Sequence, residues 1–377
     1  MFVSLRSKDS VVSVVNGSFI DLPCPSSMSY YWNFGSLLGV FLFFQIATGV
    51  FLALQFSGDT DLSFYSVVHM MRDVNYGWAM RVFHANGASM FFMFMYLHVG
   101  RGLYFGSFKF SKTWLSGVSI LLLSMGAAFL GYVLPWGQMS FWAATVITNL
   151  LSAVPYLGVV MVEWVWGGFS VGSPTLTRFF SFHFLLPFVI LGLFVLHLLF
   201  LHDTGSSNPL GVMGSHDKVG FHPYFSVKDA WGLGVILILY VFVCLGFPYI
   251  FMDVENFIPS NSLVTPVHIQ PEWYFLFAYT ILRSISSKIG GVVALLMSVL
   301  VLYFLPLIYD FRCRSMGLYF GVKWAYWWFV ANWGLLTWIG ACEVELPYSE
   351  LGMIFSFFYF FLYLVMWGLG SAQDKLV

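Results

Sequence analysis

The chain has 377 residues, of which 59% are apolar and 9% charged, with a mean hydropathy of +0.83 and a formal net charge of −1. Soluble domains run near 25% charged, so these figures exclude a soluble globular fold, and no nucleic-acid partner is expected. They describe a polytopic membrane protein lying in a lipid bilayer, and an all-α one, because long apolar segments satisfy their own backbone hydrogen bonds in lipid only as helices.

The opening stretch, MFVSLRSKDSVVSVVNGSFIDLP, lacks the apolar run of a secretory signal and carries Asp9 and Asp21, so no cleaved presequence is expected. Eight apolar segments follow, near 34–53, 79–103, 115–134, 176–201, 230–250, 288–308, 322–341 and 349–369. Each is long enough to cross a hydrocarbon core of about 30 Å. Eight crossings return both termini to one face. That face collects the excess of Lys and Arg, Arg6, Lys8, Lys109 and Lys112 among them, and the other face the excess of Asp and Glu. The positive-inside bias therefore directs the termini to the cytoplasm-like compartment. Cys24, Cys244, Cys313 and Cys342 form no C-x-x-C, so the chain itself supplies no iron–sulfur cluster, c-type haem attachment or zinc knuckle.

The second segment, RVFHANGASMFFMFMYLH, holds His84 and His98, fourteen residues apart, and the fourth, HFLLPFVILGLFVLH, repeats the interval with His183 and His197. A buried imidazole in lipid needs a polar partner or a metal. Fourteen helical steps fall some 40° short of four turns and advance roughly 21 Å, so each pair shares one helix face without sharing a ligand. The two helices run in the same direction. His84 then meets His183 and His98 meets His197, in two trans-axial bis-histidine sites stacked across a four-helix bundle, the geometry that holds a flat macrocycle such as haem. Zinc prefers four tetrahedral ligands, and no Cys, Asp or Glu lies at matching depth in the first four segments. A polar helix interface accounts for one intramembrane histidine but not for four at a duplicated spacing.

Arg81 and Arg101 stand one turn outward of His84 and His98, where a guanidinium pairs with a haem propionate or simply snorkels to the interface. The interval returns in Gly35 and Gly49 of the first segment and Gly117 and Gly131 of the third. Lacking Cβ, these leave room for the edges of two macrocycles at two depths, where membrane glycines otherwise serve close helix packing.

These residues, with GQMSFWAATVITNL (137–150) and PEWYFLFAYTILRS (271–284), resemble the cytochrome b family of the bc complexes over essentially the whole chain. The fused chain with equal fourteen-residue spacings resembles the respiratory rather than the photosynthetic type, which is split and has one more residue between its second pair of histidines. The resemblance implies a haem-binding half, 1–210, and a second half, 211–377, carrying the quinol-site loop. It implies a low-potential b haem on His84 and His183 and a high-potential b haem on His98 and His197. The outer quinol-oxidising pocket would comprise Ala143, Pro271, Glu272, Trp273, Tyr274 and Tyr279, with Glu272 accepting a proton. The inner quinone-reducing site would comprise His202, Ser206, Lys228 and Asp229. A Rieske iron–sulfur protein, a membrane-anchored c-type cytochrome, further subunits and a homodimeric complex in the mitochondrial inner membrane follow, with ubiquinol and ubiquinone as substrates and both termini in the matrix. Family members sensitive to methoxyacrylate inhibitors typically carry glycine where this chain has Ala143. The rival function is a secondary transporter relaying protons through intramembrane histidines, which needs no ligands paired at two depths.

Overall fold

The computed structural model describes residues 9–376; Arg6 and Lys8, counted above on the face of the termini, lie outside them. In chain order the helices are α1 (Ser10–Phe19), α2 (Phe34–Ala53), α3 (Ser63–Arg72), α4 (Gly77–Tyr104), α5 (Ser111–Val133), α6 (Gln138–Asn149), α7 (Gly158–Trp166), α8 (Ser173–Thr204), α9 (Tyr224–Gly246), α10 (Leu276–Arg283), α11 (Lys288–Ile308), α12 (Phe320–Gly340) and α13 (Tyr348–Leu376). Two short strands, β1 (Pro23–Pro25) and β2 (Lys218–Gly220), pair antiparallel with Cys24 opposite Val219. The fold is all-α, and the eight longest helices coincide with the eight expected segments.

Six of those eight are apolar enough, by length and composition, to cross a membrane. The other two, α4 and α12, are 28 and 21 residues long. Their hydropathy is diluted by Arg81, His84, Asn86, His98 and Arg101 in α4, and by Lys323, Asn332 and a run of Trp and Tyr in α12. Asn86 and Asn332 are buried against protein, as polar groups within a spanning helix are, whereas Lys323 and Trp324 near the start of α12 are exposed, in keeping with basic and aromatic residues at a membrane interface.

Packing divides the first four spans into two close pairs, α2 along α4 and α5 along α8, with α2 also touching α8. The histidine-bearing helices α4 and α8 do not pack along one another. The second half folds onto this bundle, α9 against α4 and α11 against α5, while α10 is enclosed by α11, α12 and α13. One apolar core runs through both halves, from Phe41 and Phe92 to Leu305, Val322 and Leu362.

A polar seam ties the two halves together through residues 136–140 and 256–260. Gly137 bridges Pro259, Gln138 N–H donates to the Ile258 carbonyl (3.0 Å), and Ser260 N–H donates to the Trp136 carbonyl (3.1 Å). The Asn256 side-chain oxygen accepts from both the backbone N–H (3.0 Å) and the hydroxyl (2.9 Å) of Ser140. Glycine is required at 137 because a Cβ there would stand 2.9 Å from the Asn256 carbonyl carbon.

Candidate functional site

The bundle brings the four histidines together as two facing pairs. The rings of His84 and His183 have centroids 6.1 Å apart and nearly perpendicular planes, at 88°. Those of His98 and His197 are 6.2 Å apart at 56°. A first-row metal held by two imidazoles at about 2.0–2.1 Å per bond, each ring centre roughly a further ångström behind its nitrogen, separates the centres by about 6 Å. Both pairs fit one ion between them. Among the described residues no three His, Cys, Asp or Glu side chains converge on a metal position, so each pair could offer a metal two imidazoles and no further side chain of these types.

Each imidazole is backed by one of the periodic glycines. A Cβ on Gly49 would lie 3.1 Å from His84 Cε1, on Gly117 3.1 Å from His197 Cε1, and on Gly35 3.3 Å from His98 Cε1. On Gly131 it would lie 2.9 Å from both ring nitrogens of His183. The glycines therefore sort into the same two depths as the histidines. Their immediate neighbours are ligand rings, where sequence reasoning expected the edges of a macrocycle, although Gly49 and Gly131 also line the cavity described below.

Hydrogen bonds at Nδ1 orient the rings. His84 Nδ1 meets the Thr48 hydroxyl (2.9 Å), His197 Nδ1 the Ser116 hydroxyl (3.0 Å), and His183 Nδ1 the Ala127 carbonyl (2.8 Å). An Nδ1–H donated to oxygen leaves Nε2 with a free lone pair, the arrangement that holds a histidine ligand in one tautomer. His98 differs: its Nδ1 accepts from Arg101 Nη2 (3.2 Å). The Arg101 guanidinium lies over the Trp32 ring and its Nε is buried without a partner. Neither Arg101 nor Arg81 has an ion-pair partner within 4.0 Å among the described residues. Two intramembrane cations lacking carboxylates suit an anionic ligand.

A cavity of about 230 Å³ extends from the His84–His183 pair, past Arg81, Ser124 and Tyr132, to Glu272 and Tyr274. Burial pushes the Glu272 carboxyl up to about 8, against the opposing pull of Arg81 and with a smaller contribution from Asp253. Tyr274 is stacked on Phe92 with centroids 4.2 Å apart, and its backbone carbonyl accepts from the Tyr96 hydroxyl. The Trp273 indole donates to Ser89 Oγ (3.2 Å), which lines the same cavity. Of the residues expected of the outer pocket, only Glu272 and Tyr274 line this cavity; Ala143, Pro271, Trp273 and Tyr279 do not. Pro271 is half-buried beside Glu272, the Tyr279 hydroxyl donates to the Ile269 carbonyl of its own loop (3.2 Å), and Ala143 is buried on α6 outside the cavity lining.

At the opposite end, the expected residues form two groups. The Lys228 ammonium donates to the Met28 carbonyl and lies 5.0 Å from the Tyr30 ring centre, and Asp229 lies beside Ser36, whose hydroxyl donates to the Asn33 carbonyl (2.8 Å). His202 and Ser206 belong to the end of α8 and the turn after it. No hydrogen bond or ion pair joins them to Lys228 or Asp229.

Sequence reasoning missed Thr48, Ser116 and Ala127 as partners of the histidines, and Asn256 as the clamp on α6. A signal for the first two was present: Thr48-Gly49 and Ser116-Gly117 each place a hydroxyl beside a periodic glycine.

Residues 19–205 match the family model described as cytochrome b/b6/petB, and residues 259–360 match that described as cytochrome b (C-terminal)/b6/petD. Among solved structures, a chain of "Hyperthermophilic respiratory Complex III" is similar along its whole length. It is 28% identical, with a TM-score of 0.93, over 98% of this chain and 99% of that one. The paired imidazoles, the PEWY loop at their outer edge and these matches along both halves lead to one assignment: the chain belongs to the cytochrome b family, as the multi-pass membrane cytochrome b of a bc complex.

Proposed function

We propose that this cytochrome b oxidises quinol at an outer site beside His84 and His183 and reduces quinone at an inner site beside His98 and His197. The reading is carried by one observation: two facing imidazole pairs, 6.1 and 6.2 Å between centroids, lie at two depths with a glycine behind every ring. Bound there, a low-potential and a high-potential b haem supply single-electron transfer across the bilayer, each charge moved through the full field storing about 2.3 kcal/mol per 100 mV.

The chain's own residues do the rest. Thr48, Ala127 and Ser116 hold three imidazoles in the tautomer that presents Nε2, and Arg81 and Arg101 neutralise propionates. Glu272 accepts a quinol proton in its ionised form and releases it to the outer face, with Tyr274 lining the pocket beside it; Pro271, Trp273, Tyr279 and Ala143 belong to the site from behind that lining. At the inner face Asp229, Lys228, His202 and Ser206 bind quinone and pass protons to it. Electrons leaving the outer site singly require a partner with its own redox centre, a Rieske iron–sulfur protein, which hands on to a membrane-anchored c-type cytochrome within a homodimeric complex of further subunits. The quinone is ubiquinone, the membrane is the mitochondrial inner membrane, and the termini lie on the matrix side. Residues 1–210 form the haem-binding half and 211–377 the half that completes the outer pocket.

A reduced-minus-oxidised spectrum and haem extraction on the purified complex test this. Two b-type haems per chain with separable potentials are expected. A chain assembled without haem would instead support a proton-relaying transporter.

A further inference from the structure

Helix α4 supplies one histidine to each facing pair, yet it does not pack along α8, which supplies the other two. Direct packing of these two helices therefore does not set the 6.1 and 6.2 Å separations of the rings, and the position of α4 has to be fixed by its other neighbours. Two tyrosines of the second half reach its backbone beside the ligands. The Tyr240 hydroxyl, from α9, donates to the Phe83 carbonyl, one residue before His84. The Tyr326 hydroxyl, from α12, donates to the Gly100 carbonyl (3.0 Å), two residues after His98.

Both tyrosines are buried, and both carbonyls belong to a helix whose ladder already supplies an N–H four residues on. Each phenol thus takes a second lone pair of a peptide oxygen. The backbone of α4 makes room for them. A Cβ on Gly100 would stand 3.2 Å from Tyr326 Oη, and a Cβ on Gly87 would stand 3.0 Å from both Tyr240 Oη and Gln45 Oε1. Gln45, on α2, donates in turn to the His84 carbonyl (3.0 Å). The consecutive carbonyls of Phe83 and His84 are therefore gripped from two different helices, which converge at Gly87. The phenol rings are themselves packed: Tyr240 lies edge-on to Phe41 with centroids 5.1 Å apart, and Tyr326 lies 5.0 Å from Tyr104.

We propose that Tyr240 and Tyr326 are positioning residues, each setting through the α4 backbone how one histidine presents its ring, Tyr240 at the His84–His183 depth and Tyr326 at the His98–His197 depth; this rests on reading the two pairs as haem ligands. Partners that orient a ligand from outside its coordination sphere tune what it binds. Phe83 and Gly100 are seventeen residues apart, roughly 25 Å along the helix, beyond the distance over which substitutions ordinarily couple. The two tyrosines therefore act separately, one on each depth. A tyrosine that merely found an acceptor for its hydroxyl would show no such assignment.

The test is a crossed one, on the purified complex in parent, Tyr240→Phe, Tyr326→Phe and Gly87→Ala forms. Phenylalanine keeps the ring and its packing and removes only the O–H. The lowest-field EPR line of each ferric haem follows the angle between its two imidazole planes, and redox titration gives each potential. Tyr240→Phe is expected to shift the line and the potential of the outer haem and leave the inner haem at parent values, and Tyr326→Phe to do the reverse. Haem transfer to excess apomyoglobin should rise at the affected depth by about 2- to 12-fold, the effect of one lost hydrogen bond. Gly87→Ala, which drives Tyr240 Oη and Gln45 Oε1 away from α4, should reproduce the outer shift with the tyrosine still present. With two haems in the parent, unmoved lines in both phenylalanine variants, or a shift of both haems by either one, overturn the positioning role and leave the haem reading intact. A parent purified without haem overturns both.

Discussion

The steric ranking of the four glycines makes a graded prediction. Replacing Gly131 by alanine puts a methyl carbon 2.9 Å from both nitrogens of His183 and closer still to Cε1, against ordinary contacts of about 3.5–4.0 Å. The ring has little freedom to retreat, because its Nδ1 is tied by a 2.8 Å hydrogen bond to the Ala127 carbonyl, one turn from Gly131 on α5. Overpacking of this kind costs roughly 1–3 kcal/mol or more, offset by about 1 kcal/mol for exchanging Gly for Ala in a helix. At Gly35 the methyl would meet only His98 Cε1 at 3.3 Å, a shortfall of tenths of an ångström that the helix gain cancels. Gly131→Ala should therefore weaken outer haem retention by about tenfold or more, Gly49→Ala and Gly117→Ala less, and Gly35→Ala hardly at all. Haem content by pyridine haemochrome and redox titration of each assembled variant reads the series. Full haem content and unshifted potentials in Gly131→Ala, or a larger defect in Gly35→Ala, would refute the reasoning.

Three further outcomes are expected. Because burial raises Glu272 to about 8, its proton-accepting ionised form grows as pH rises through that value. Quinol oxidation should climb with pH up to about 8 and lose that dependence in Glu272→Gln, as pre-steady-state haem reduction through the outer site will show; slowing through both sites alike would make Glu272 structural. Arg101→Gln removes a cation beside the His98–His197 pair, so the potential of the inner haem should fall and its binding loosen, measured by redox titration; an unchanged potential would mean that the guanidinium is screened. Ala143→Gly should leave quinol turnover near normal while tightening methoxyacrylate-type inhibitors by about 5- to 150-fold, and matching affinities in inhibition titrations would place the methyl outside the pocket.

The helices were legible because membrane spans are local. The segment 34–53 and helix α2 share both ends, and 288–308 coincides with α11. The facing of His84 by His183 was legible for a different reason: a fixed rise per residue turns a repeated spacing into a repeated depth. What escaped was contact between segments distant in the chain. Ser140 and Asn256 are 116 positions apart, and neither residue type advertises the other. The Thr48 and Ser116 hydroxyls escaped because such groups in a helix ordinarily bond back to their own turn, as Thr48 also does to the Phe44 carbonyl at 2.7 Å. Asp229 and His202 were grouped by chemistry and side of the membrane, whereas the structure ties Lys228 and Asp229 to the 28–36 segment.

The seam between 136–140 and 256–260 also bears on how many pieces this fold can be made from. Every bond in it joins residues before 205 to residues after 222, and none involves the connection between them. Leu210, Val212 and Met213 in that connection are exposed, and the β1–β2 pairing begins only at Lys218. A nick at 211–213 would therefore cut no contact that docks one half on the other. Two polypeptides made from separate messages carry, in Gly137, Ser140 and Asn256, the mating surfaces they need to find each other in the bilayer.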